Sequence, residues 1–88
     1  MDDLLRQEIV KAIQEIIPLL KPELVLELSN IGVSDLSIFH FSLGLWIRNN
    51  VLTDESDIYK MFIQNGVSDK DDMSVIIVFE LYQKITHK

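Results

Sequence analysis

Apolar residues recur at every third or fourth position along most of this chain, and its β-branched run, Val75-Ile76-Ile77-Val78-Phe79, has no second strand to pair with. A lone strand leaves its backbone donors and acceptors unpaired, so the spacing restricts the chain to packed helices. The same run lies within a helical stripe, Met73, Ile76, Ile77, Leu81 and Ile85, which predicts a helix over 71–86. At 88 residues and 48% hydrophobic, the chain supports one small domain over 1–88, with a radius of gyration of roughly 12 Å. The predicted fold class is all-α, a compact bundle of about five short helices.

Leu5, Ile9, Ile13, Ile16 and Leu20 mark a first helix over 3–17, with Asp2 and Asp3 at its positive end. Pro18 stops it, and Pro22 suits the first position of a second helix over 22–30. That helix carries Leu24, Val25, Leu28 and Ile31 on one stripe, and Gly32 is predicted to end it as a left-handed cap. A third helix over 35–49 has Leu36, Phe39, Leu43 and Ile47 on one face. It has Ile38, Phe41 and Leu45 on the other, which predicts burial on both sides. Gly44 in its middle costs up to ~1 kcal/mol against alanine and so points to a close helix crossing. Asn49 and Asn50 tolerate the left-handed conformation and fit its end. Thr53 or Ser56 is expected to cap a fourth helix over 54–65, stopped by Gly66. Ser68 begins the last element, with Asp71 three residues on in the manner of a capping box.

Gly-Val-Ser-Asp occurs at 32–35 and again at 66–69, 34 residues apart. A solenoid needs about three copies or more, and the flanking residues do not match, so the tetrapeptide reads as shared junction chemistry.

Fourteen acidic against eight basic residues give a net charge of −6, which repels phosphate backbones and anionic lipid. Neither nucleic acid nor a membrane is an expected partner. The acidic start and the lack of any apolar run near ~20 residues predict a cytoplasmic protein. With no cysteine there is no disulfide, thiolate zinc site or thiol nucleophile. His40, between Phe39 and Phe41, reads as a hydrogen-bonded structural histidine, and His87 as a solvated one; neither has triad partners in the sequence. Ser34 and Ser37 lack the preceding aspartate of a pantetheine-bearing carrier serine. The acidic residues lack the spacing of a calcium-binding EF-hand loop. No catalytic, cofactor-binding or metal-binding residue, no small-molecule substrate and no enzymatic activity are expected.

Charge placement is the remaining signal. Aspartates at helix starts follow from the helix dipole, but residues 53–72 hold six acidic and two basic side chains, most of the chain's surplus. Asp54, Glu55, Asp57, Asp69 and Asp71 are therefore the candidate protein-binding residues, steering a basic partner.

Gly44-Leu45-Trp46-Ile47-Arg48-Asn49-Asn50, followed by Gly66-Val67-Ser68 and by Asp71-Asp72-Met73-Ser74-Val75-Ile76-Ile77, resembles a family of small bacterial helical domains of unknown function. The likeness covers about 39–81, and Val51-Leu52 stands where members often carry aromatic residues. It implies a helical domain with no established activity and makes Trp46, Arg48, Asn49 and Asp72 structural motif residues. Arg48 is expected to bond helix-end carbonyls or to pair with Asp71 or Asp72, and Trp46 to lie in the core or at its edge. By type, the short, acidic, cysteine-free chain is similar to the immunity proteins of contact-dependent growth inhibition systems. That likeness implies an antitoxin for a cognate basic toxin, a nuclease, acting by covering its active site. The alternative is a helical adaptor or regulatory module of a bacterial pathway.

Overall fold

A computed structural model describes residues 3–87; the charge expected of Asp2 lies outside the described residues. The described residues form five α-helices joined by short connectors and contain no β-strand: α1 (Asp3–Ile16), α2 (Pro22–Asn30), α3 (Leu43–Asn50), α4 (Asp57–Gln64) and α5 (Lys70–Thr86). Two 3₁₀ segments, Ile17–Leu19 and Val33–His40, turn the chain between them. The predicted all-α bundle is what forms, with a radius of gyration of 12.4 Å.

The long α5 is the hub. It packs against α3, α2, α1 and the 3₁₀ segment Val33–His40, while α1 packs against α4. Met73, Ile77, Val78 and Leu81 on α5 are fully buried, so tertiary contact overrides the β-branched character of 75–79. Leu5, Ile9, Ala12, Ile13 and Ile16 bury the inner stripe of α1, and Leu28, Leu36, Phe39, Leu43, Ile47, Leu52, Ile58 and Phe62 complete the core. The Tyr82 hydroxyl donates to the Ile31 carbonyl at 2.8 Å, tying α5 to the exit of α2.

The expected third helix over 35–49 is instead divided. Residues 33–40 coil as 3₁₀, and α3 begins only at Leu43. Leu36, Phe39, Leu43 and Ile47 are buried as their stripe requires, but Phe41 is 85% exposed, Ile38 67% and Leu45 48%. In a chain this small, one face of the segment meets α5 and the other has no neighbour left to cover it.

Gly32 is extended (φ −83°, ψ 160°) rather than a left-handed cap. α2 instead ends on Ile31, which is also extended (φ −98°, ψ 160°), while Ser29 Oγ and Asn30 Nδ2 donate back to the Leu26 carbonyl inside the helix at 2.8 and 3.0 Å. Gly66 does adopt the left-handed form, at φ +86°. Its amide and that of Val67 donate to the carbonyls of Ile63 (3.0 Å) and Phe62 (2.9 Å), the paired closure of a Schellman end. Among the described residues no non-glycine residue has positive φ, so neither Asn49 nor Asn50 is left-handed; α3 ends on Val51, whose amide donates to the Ile47 carbonyl at 2.8 Å, and Asn50 Nδ2 donates to the Trp46 carbonyl at 2.9 Å.

α4 starts later than expected. Asp54 and Glu55 precede it in a turn, and Ser56 caps it, its Oγ accepting from the Tyr59 amide at 3.3 Å. At α5 the cap is Asp69, whose carboxylate accepts from the Asp71 amide at 2.8 Å, in place of the expected Ser68–Asp71 box.

Candidate functional site

The motif residues of α3 meet the start of α5 in a polar clasp. Arg48 Nη1 donates to Ser74 Oγ at 3.1 Å, Arg48 Nε pairs with Asp71 Oδ1 at 3.3 Å, and Ser74 Oγ donates to the Asp71 carbonyl at 2.8 Å. Ser74 is a fully buried polar residue, and this closed set of bonds is what lets it lie between two helices. Gly44 admits the clasp: a Cβ there would stand 3.3 Å from Arg48 Nη1 and 3.7 Å from Ser74 Oγ. The partner of Arg48 is therefore Asp71, while Asp72 and Asn49 are exposed and have no side-chain bond among the described residues. Trp46 is half-buried against the core. His40 is also half-buried but makes no side-chain hydrogen bond, unlike the bonded histidine expected there.

Asp54, Glu55, Asp57, Asp69 and Asp71 are all exposed. Lys70 joins their two segments: its Nζ lies 3.0 Å from Asp54 Oδ1 and 5.1 Å from the centre of the Tyr59 ring. The turn before α4 and the start of α5 thus form one corner, whose charges are already partly engaged. Asp54 faces Lys70, Asp69 caps α5 and Asp71 holds Arg48, which leaves Glu55 and Asp57 without side-chain partners among the described residues. No group of three or more His, Cys, Asp or Glu among them is placed to hold a metal ion. None of the described helices is long and apolar enough to cross a membrane.

A second feature is a groove of about 470 Å³ between α1, α3 and the start of α4. Ile16, Leu19 and Trp46 line it, and Glu8, Lys11, Glu15 and Asp57 stand at its polar edge. None of these four takes part in an ion pair of the described residues. Sequence reasoning placed only Asp57 and Trp46 among the candidates. A signal for the others was present: Glu8, Lys11 and Glu15 recur at helical spacing on α1, and Glu8 and Glu15 lie beyond the first turn, where the dipole no longer accounts for acidic residues.

The chain matches the model of a family described as a domain of unknown function (DUF6794) over residues 7–85, and it belongs to that family. The matched span contains both the groove and the acidic corner, and it brings no activity with it. No curated protein and no solved structure matches the chain.

Proposed function

We propose that this chain is a non-enzymatic protein-binding domain whose acidic surface takes a basic protein. In its sharper form the proposal is an immunity protein that neutralises a cognate basic bacterial toxin, a nuclease, by covering its active site from within the cytoplasm. The observation that carries the reading is the corner where Asp54, Glu55 and Asp57 stand beside Asp69 and Asp71, joined through Lys70. Carboxylates grouped in this way resemble phosphate in charge, and a nuclease cleft built to hold a nucleic-acid backbone is complementary to them. An adaptor is the second reading, favoured by the exposure of Phe41 and Ile38, which offer an apolar contact that a phosphate-binding cleft would not use.

Gene context and a protection assay separate the two. A large toxin gene directly upstream, whose nuclease product co-purifies with this chain and loses activity in the complex, is the expected result. A regulatory operon there, or full nuclease activity in the presence of excess chain, overturns the immunity reading.

A further inference from the structure

The groove between α1, α3 and α4 has the chemistry of a receptor for one kind of side chain. Its apolar lining includes Ile16, Leu19 and the half-buried Trp46, and its edge carries Glu8, Glu15 and Asp57 against a single Lys11. These carboxylates are exposed or half-exposed and free of the ion pairs that engage Asp54 and Asp71 at the neighbouring corner. A guest that suits the groove has an apolar stem and a cationic tip. Arginine fits better than lysine, because its planar guanidinium takes carboxylates through two parallel bonds and stacks on an indole, whereas an ammonium is a compact, strongly hydrated point charge.

We infer that the groove is a docking site for an arginine side chain presented by a basic protein partner. The arginine stem lies along the Trp46 side of the groove and its guanidinium faces Glu15 and Asp57. This rests on the reading of the chain as a binder of basic proteins and moves the specific contact from the acidic corner to the groove. The corner then acts mainly on the rate of encounter, and the groove on which residue of the partner is held.

The test uses the chain's sole tryptophan as reporter. The full chain is titrated with an acetylated, amidated hexa-arginine peptide, with the neutral citrulline hexapeptide beside it. The expected result is a saturable change in Trp46 fluorescence with arginine, at least about tenfold weaker with citrulline, a difference of about 1.4 kcal/mol. Glu15→Gln combined with Asp57→Asn should weaken arginine binding by at least about tenfold while circular dichroism stays that of the parent chain. Glu23→Gln combined with Glu27→Gln removes the same charge from α2, away from the groove, and should leave affinity within about twofold. An unsaturable response, equal binding of citrulline, or equal loss in the α2 variant overturns the inference. Loss confined to Asp54→Asn with Glu55→Gln also overturns it, while leaving the acidic-surface reading of the function standing.

Discussion

Gly44 occupies a point where any side chain would meet the guanidinium of Arg48, 3.3 Å from an added Cβ. Alanine there gains about 1 kcal/mol of helix propensity. It also requires Arg48 Nη1 to give by a few tenths of an ångström, which stretches its 3.1 Å bond to Ser74 Oγ and weakens an interaction worth ~0.5–1.5 kcal/mol. The two effects nearly cancel, so Gly44→Ala should change unfolding free energy by less than about 0.5 kcal/mol, whereas in an Arg48→Ala background it should add about 1 kcal/mol. Denaturant unfolding of the four proteins measures this coupling, and equal effects in both backgrounds would show that Arg48 is not held at Gly44. Arg48→Ala alone loses an ion pair whose aspartate side chain is 75% exposed, so that pair contributes only about 0–1 kcal/mol. With the bond to Ser74 lost as well, the melting midpoint should fall by several degrees, and an unchanged midpoint would free the arginine for a surface role. The opposite charges of the two motifs were visible in the sequence. The choice of Asp71 over Asp72 was not, because it depends on the rotation of α5, which Met73, Ile77 and Leu81 set by burial.

At the scale of elements, the two copies of Gly-Val-Ser-Asp read alike and fold differently. Gly66 is left-handed at φ +86°, while Gly32 is extended at φ −83°. Gly66→Ala should therefore cost about 1–2 kcal/mol even though nothing lies within 4 Å of its Cβ position, and Gly32→Ala should be nearly neutral. Equal costs at the two sites would contradict the difference in backbone. A repeated tetrapeptide cannot reveal this difference, and neither can the asparagine near each helix end: Asn30 and Asn65 both donate from Nδ2 to the carbonyl four residues back, yet only after Asn65 do the glycine and valine amides fold onto the Ile63 and Phe62 carbonyls. The same limit explains the divided third helix. Periodicity correctly grouped Leu36, Phe39, Leu43 and Ile47, but an apolar second face does not say whether a neighbour exists to cover it. Phe41→Ser should leave stability within about 0.5 kcal/mol by thermal unfolding, whereas Ile77→Ala in the core should cost ~2–5 kcal/mol.

For the molecule as a whole, the all-helical class and most of α1, α2 and α5 were legible because each buries a stripe whose period is local. The groove was not, since it exists only where α1 meets α3 and the start of α4, far apart in sequence. Leu52 is likewise fully buried in a loop that no periodicity marks. Charge lies between these cases: its amount is read directly, its availability only from which carboxylates are already paired. Reversing Asp54, Glu55 and Asp57 to lysine, at two charges each, takes the net charge from −6 to zero. The pair with Lys70 becomes a repulsion, and α4 loses a favourable first-turn charge. Together these cost about 1–2 kcal/mol against the 5–15 kcal/mol typical of small domains, so the bundle stays folded. Association with a basic toxin should slow by about tenfold or more at low salt. The gap to the parent chain should narrow towards ~1 M salt, where the screening length falls from ~10 Å to ~3 Å. Stopped-flow association at the two salt concentrations, beside growth protection of toxin-expressing cells, measures both consequences. Parent-like rates and full protection in the folded triple variant would remove the corner from the interface and leave α1 and α2 as the surfaces to search.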